Sequence, residues 1–402
     1  MEGGKRPSER IVPDASPVDG IGSLTFRVPP RHLYVHVPFC ARRCSYCDFS
    51  IAVRREVPVG DYIDGIGREL ELRATALPPG TRPLELDTLY LGGGTPSRLG
   101  GAGVAELLAV IGEHASWSET AELTLEANPD DVTAESARAW RAAGVNRVSL
   151  GAQTFSPSAL AWMHRTHDAE QIGVAVAHLR EAGIAQLSLD LIFALPPEVE
   201  RDWRDDLSRA LALRPDHISL YGLTVEPHTP LGHWRERGEV SESPDTRYES
   251  DFLLAHETLE AAGLEHYEVS NYALPGARAR HNSSYWRHVP YAAMGPAAHR
   301  FDGERRSWNV GPYAEWLRRL EQGMDPTEGE ESLTPADVES ERAYIGLRTT
   351  EGLVLSEELL ARTTRWRDEG WATIVHDRLR LTPLGWLRLD ALAVDLTHAG
   401  SR

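Results

Sequence analysis

Six short apolar runs recur along the chain with helix-patterned segments between them, and that alternation leaves few folds open. They are HLYVHV (32–37), LDTLYLG (86–92), ELTLEA (122–127), RVSLGA (147–152), LSLDLI (187–192) and HISLYG (217–222). Strand-length runs separated by amphipathic segments read as βα units, which are built around a parallel sheet. Three junctions repeat a phrase, AAGVNRVSL, EAGIAQLSL and AAGLEHYEV, and place Gly144, Gly183 and Gly263 where a helix stops and a strand begins. Glycine there supplies the left-handed residue that closes a helix. The interval between the first two glycines suits one βα unit of a barrel. The expected fold is therefore α/β, a partial (β/α) TIM-type barrel rather than an open doubly wound sheet.

With 402 residues, the chain can bury a large core and carry an appended small domain. Residues 1–30 are polar and rich in Gly and Pro, so they are expected to form a flexible tail. The barrel domain, with its loops and a later extension, is expected over 31–322. The stretch QGMDPTEGEESLTPADVESE (322–341) has the composition of a linker, and 335–402 reads as a small helix-rich domain with a short hairpin, in winged-helix order. A net charge of −18 repels phosphate backbones and anionic lipid, which argues against a nucleic-acid partner. No apolar run approaches the roughly 20 residues of a membrane helix, and the first residues lack the apolar core of a signal peptide. A cytoplasmic protein without a membrane span is expected.

All three cysteines, Cys40, Cys44 and Cys47, lie in YVHVPFCARRCSYCDFS. An odd number in one loop cannot form a disulfide framework, so the cluster is a ligand set or a redox site. Zinc would need a fourth ligand, and without a second cysteine pair it must recruit His32 or His36. A [4Fe–4S] cube held by three thiolates keeps one iron open for another ligand. Three free thiols are the bland alternative.

Functional groups of a barrel collect at the C-terminal ends of its strands. There the sequence offers Tyr34 and His36, then GGGTPS with Gly92, Gly93, Gly94 and Thr95, then Glu126, Gln153 and Asp190. Glycines let backbone approach a ligand. The GGGTPS loop lacks the Lys of a P-loop. Each polar residue taken singly is ordinarily a solvated or core group; at successive strand ends they point together to a ligand site.

The spacing C-x3-C-x2-C, with Tyr46 before the last cysteine, resembles the signature of the radical S-adenosylmethionine (SAM) superfamily. That resemblance implies a [4Fe–4S] cluster on Cys40, Cys44 and Cys47 whose open iron chelates SAM. More narrowly, YVHVPFC, GGGTPS, EANPD, GAQTF, HRTH, SLDLI, YEVSNYALPG, HNSSYW and EGL resemble the family that joins oxygen-independent coproporphyrinogen III oxidase with HemW, a haem chaperone. The resemblance runs from about residue 32 to the C-terminus. It implies SAM contacts from Tyr34, Gly93, Gly94, Thr95, Glu126, Gln153, Arg165 and Asp190.

Within that family, Phe49 stands where the oxidase pattern has a fourth cysteine, and the first strand follows a shorter N-terminal segment than the oxidase carries. HNSSYW matches the H-N-x-x-Y-W signature of the chaperone branch, which makes His281 the candidate haem ligand, with Tyr285 and Trp286 offering flat faces. The implied function is binding of haem and its transfer to an acceptor protein, with a reductant for the cluster. Decarboxylation of coproporphyrinogen III is the enzymatic alternative, and a zinc-stabilised interaction protein is a third. Two loops depart from the family: ALPPEV (194–199) replaces Gly-Leu-Pro-Gly-Gln, and MGPAAH (294–299) replaces a more glycine-rich run. Both substitutions are expected to stiffen the chain near the ligand side.

Overall fold

The computed structural model describes residues 29–74 and 83–398; the expected tail falls outside them apart from its last two residues. Six strands form the barrel wall: β1 (His32–Val37), β2 (Leu84–Gly93), β3 (Ala115–Ala127), β4 (Arg147–Gln153), β5 (Gln186–Phe193) and β6 (His217–Gly222). Each pairs in parallel with the next in chain order. A parallel sheet covered on its outer face reads as nearly continuous apolar sequence, and β4 is buried at every position but its last. The expected partial barrel is what forms. Beyond β6 the sheet turns antiparallel through β7 (Glu265–Glu268) and β8 (Asn271–Ala273), and β9 (Ala292–Met294) adds in parallel beside β1.

Helices α1 (Val59–Ala74), α2 (Gly100–Gly112), α3 (Ala134–Ala142), α4 (Ala169–Glu181), α5 (Trp203–Ala212) and α6 (Asp245–Ala261) link or follow these strands. The junction glycines act as expected: Gly144, Gly183 and Gly263 take φ of 108°, 79° and 88° just after α3, α4 and α6. At the other end, Thr133 and Asp168 close capping boxes on α3 and α4. These caps fix where each strand starts, and so where it ends.

After the barrel, His299–Phe301, Arg305–Asn309 and Thr327–Ser332 form a three-stranded antiparallel sheet. The stretch expected as a linker is thus largely structured. Glu328, Glu330 and Glu331 lie exposed on an edge strand, and Asp337 and Glu339 lie exposed in the first turns of the helix Pro335–Arg348, which Thr334 caps; Asp325 and Glu341 are paired instead with Arg73 (2.8 Å) and Arg306 (2.6 Å). Glu69 of α1, fully buried, accepts hydrogen bonds from the Gly295 N–H (2.9 Å), Trp316 Nε1 (2.9 Å) and Asn309 Nδ2 (2.7 Å). One carboxylate therefore ties the MGPAAH segment to the barrel's first helix. Residues 349–398 carry a small antiparallel sheet, Leu353–Val354, Ala372–Val375 and Arg378–Leu381, among short helices.

Candidate cofactor and cluster site

The C-terminal ends of the strands enclose a cavity of about 410 Å³ lined by all three cysteines and by Gly93, Gly94, Thr95, Glu126, Gln153, Arg165 and Asp190. Seven of the eight residues implied as SAM contacts meet there. Tyr34 stands apart from this lining: its hydroxyl is 3.1 Å from His36 Nδ1 and its ring stacks on Tyr90.

Thr95 Oγ1 lies 3.4 Å from Cys40 Sγ, and Arg165 Nη1 reaches 3.5 Å from Cys44 Sγ. The thiols are unpaired and each is partly exposed. Burial pushes Cys47 up to about 11 and raises Cys40 as well; thiols so placed give up their protons only to a strongly cationic partner. Among the described residues no three His, Cys, Asp or Glu side chains draw together around a point where a single metal ion would sit. A [4Fe–4S] cube takes each thiolate on a different iron, so three thiols spread over one cavity wall fit it by donor chemistry.

The rest of the lining fits a zwitterionic, cationic cofactor. Arg165 donates through Nη2 to Asn128 Oδ1 (2.6 Å) and to the Gly151 carbonyl (2.9 Å), while its Nε is buried with no partner among the described residues. An orphaned guanidinium N–H beside a cavity is a place for a carboxylate. Opposite charge is available too. Glu126 accepts from Tyr90 Oη (2.7 Å) and the Gly93 N–H (3.1 Å). Enclosure pushes its carboxyl up to about 7; the Tyr90 bond works against that rise, and the charge of Asp190 adds to it. Asp190, held by Ser149 Oγ at 2.9 and 3.0 Å, is also raised, chiefly by burial and against its serine donors.

Two backbone features hold this geometry. Gln153 ends β4 at φ 64°, a conformation that non-glycine residues rarely adopt and that concentrates at functional sites. The glycine run serves the fold more than expected. A Cβ on Gly93 would lie 2.5 Å from the His36 ring, and one on Gly94 would lie 2.6 Å from the Pro38 carbonyl carbon. Close packing of strand ends, besides approach of a ligand, requires glycine there.

Tyr90, Asn128 and Ser149 were not singled out in the sequence, though all three bond the lining residues. A signal existed. Tyr90 faces inward opposite Tyr34, and Ser149 sits in register with Glu126, so alternation along parallel strands puts them beside the site.

His281 lies elsewhere. It sits on α7 (Arg280–Trp286) with no solvent exposure. Its Nδ1 is 2.7 Å from Thr88 Oγ1, its Nε2 is 2.7 Å from Tyr285 Oη, and its ring stacks on Tyr90. Glu122 fixes the helix start by accepting from the Arg280 N–H (3.0 Å) and the His281 N–H (2.9 Å). Burial lowers the imidazole to about 3. It is neutral, but both nitrogens are engaged.

Comparison with known proteins places this geometry. The radical SAM superfamily matches residues 34–210. The heme chaperone HemW of Synechocystis sp. is 34% identical over 85% of this chain and 86% of its own length. That of Mycobacterium tuberculosis is 35% identical over 94% and 97%. Among solved structures, coproporphyrinogen III oxidase (HemN) from Escherichia coli superposes with a TM-score of 0.77 at 22% identity, covering 93% of this chain and 92% of that one; at that identity the likeness speaks for the fold. No helix among the described residues is long and apolar enough to cross a membrane.

Proposed function

The chain belongs to the HemW family of the radical SAM superfamily, and from that premise we propose that it is a haem chaperone, binding haem and passing it to an acceptor protein. Cys40, Cys44 and Cys47 would hold a [4Fe–4S] cluster, and the cavity beside them would take SAM. When bound, that pair supplies one-electron chemistry at the sulfonium of SAM, driven by an external reductant.

The chain's own residues do the positioning. Arg165 offers its Nε, without a partner among the described residues, to a carboxylate, Glu126 and Asp190 present acceptors to cationic or hydroxyl groups, and Gln153 stands at the strand end with φ 64°. With the Glu126 carboxyl raised to about 7, a cation beside it favours its ionised form.

The observation that carries the proposal is the full-length similarity to proteins named heme chaperones, together with Phe49 in place of the oxidase's fourth cysteine. Phe49 is 62% exposed at the cavity mouth, so this position adds no further thiolate. The test against the enzymatic alternative is direct. Reduced, cluster-loaded protein given SAM and coproporphyrinogen III should release no carbon dioxide; decarboxylation would replace the chaperone reading by the oxidase.

A further inference from the structure

The stretch that carries the cysteines is charged against the rest of the chain. Residues 40–56 hold four arginines, Arg42, Arg43, Arg54 and Arg55, against two carboxylates, Asp48 and Glu56, while the whole chain has 42 basic and 60 acidic residues. All four arginines are exposed. Other exposed arginines pair with carboxylates, Arg237 with Glu239 (2.5 Å) and Arg318 with Glu315 (2.8 Å). Here the guanidinium groups turn to backbone carbonyls. Arg42 Nη2 donates to that of Arg165 (3.0 Å), Arg43 Nη1 to that of Cys47 (3.2 Å) and Arg54 Nη1 to that of Val53 (3.1 Å). A carbonyl satisfies a donor and leaves the charge uncancelled.

The fold keeps these charges beside the cysteines. Phe39–Cys40 and Ala52–Val53 form a two-stranded parallel sheet, and the Arg54 N–H donates to the Cys40 carbonyl (3.0 Å). Arg98 staples the second of these strands through Nη2, which donates to the Arg54 and Arg55 carbonyls (3.1 and 3.0 Å). Two large apolar side chains of the same stretch stand in solvent, Phe49 (62% exposed) and Val53 (44%). Arg42 and Phe49 also line the cavity that holds the three thiols. Aromatic and apolar groups exposed among arginines have the composition of a protein-contact surface.

A cluster on Cys40, Cys44 and Cys47 needs electrons from outside the chain. A net charge of −18 repels an acidic carrier on average, and a local basic face is what admits one. We infer that the cluster-loop face, with Arg42, Arg43, Arg54 and Arg55 around Phe49 and Val53, docks an acidic protein that carries one-electron reducing equivalents. The inference rests on the cluster reading above and names the partner of that site. Carboxylates of the carrier meet the arginines, and the apolar pair seats the contact. The carrier loses one electron and the cluster gains it; no bond or proton moves. A face this small suits the brief contacts of electron-transfer partners, which bury less than roughly 1,200 Å². An anionic bilayer would also attract arginines, but this stretch is loop and two-residue strands, without the amphipathic helix that lies in a bilayer surface.

An acidic flavodoxin is the probe. It should bind the full chain with or without the cluster. The affinity should fall by about tenfold in Arg54→Glu/Arg55→Glu, and likewise in the wild type as salt rises from about 0.02 M to about 0.2 M. On cluster-loaded protein, reduction by the flavodoxin hydroquinone, followed as bleaching of the cluster absorption, should slow in step with binding. Reduction by photoreduced deazariboflavin, a small uncharged donor, should match the wild type. Should the first variant fail to fold, Arg42→Gln/Arg43→Gln should shift both readouts in the same direction. A flavodoxin affinity indifferent to salt and to the arginines overturns the inference. Equal slowing with deazariboflavin also overturns it, by moving the effect of the arginines to the cluster itself. Binding to phosphatidylglycerol vesicles and not to flavodoxin overturns it in favour of a membrane contact. A chain that takes up no iron and sulfide overturns the cluster reading and the inference together.

Discussion

Replacing Glu126 by Gln should stabilise the SAM-free protein at alkaline pH while weakening its hold on SAM. The carboxyl has an ordinary value of 4.5 and reaches about 7 in the cavity, so the folded state keeps its proton where the unfolded chain has lost it. At 1.36 kcal/mol per pH unit that difference is worth roughly 3 kcal/mol, a ceiling because Glu126 retains some exposure to the cavity. The sign follows from which state binds the proton. The contribution is fully present below about pH 4.5, is lost as pH rises toward 7, and stays lost above it. Gln keeps an acceptor for Tyr90 Oη, loses the bond from the Gly93 N–H at every pH, and carries no charge. Buried histidines such as His36, lowered to about 4 by burial, give the opposite slope but do so in both proteins. Urea denaturation of wild type and variant at pH 5 and pH 8 isolates the term. The variant's stability relative to wild type should improve by about 2–3 kcal/mol between the two. Parallel profiles would refute the claim that this carboxyl is enclosed near neutrality.

Cys44→Ala should abolish iron and sulfide in anaerobically reconstituted protein; a full cluster in that variant would exclude the three-thiolate assignment. Asp190→Ala and Gln153→Ala should keep the cluster yet each bind SAM more weakly by roughly 1.5–3 kcal/mol, the worth of a hydrogen bond to a charged group, as calorimetric titration would register. Ala194 stands where the family has glycine and is held at φ 55°, and Ala297 in the second departing loop is at φ 57°. Ala194→Gly and Ala297→Gly should therefore each raise stability, by about 1 kcal/mol, and a drop in melting temperature for both would show that the left-handed backbone carries no strain.

Much of the site was legible because parallel strands announce themselves. Near-continuous apolar runs mark β1 to β6, and the residue types at their ends, Glu126, Gln153 and Asp190 among them, stand out against them. What the sequence concealed depends on packing across the chain. The polar first half of β3, from Ala115, resembles a loop, yet it pairs with Leu84–Leu86 before the register shift at Thr88. The acidic stretch after residue 322 has linker composition, and only its pairing with Arg305–Asn309 makes it a strand. The polarity of HNSSYW suggests an open loop with an available histidine. The carboxylate of Glu122, distant in sequence, folds it into a helix that turns His281 inward. The departing loops were expected to be stiff; the finding is more specific, an alanine in each held in a conformation that favours glycine.

Whether this chain carries haem is decided by a haem titration of the cluster-loaded, SAM-saturated protein followed by addition of an apo-haem protein. A haem chaperone gives a saturable Soret band at one haem per chain, as a single ligating histidine requires, and movement of that band to the spectrum of the acceptor's own haem complex. Absence of saturable binding, or haem that never leaves for the acceptor, would contradict the haem-chaperone reading.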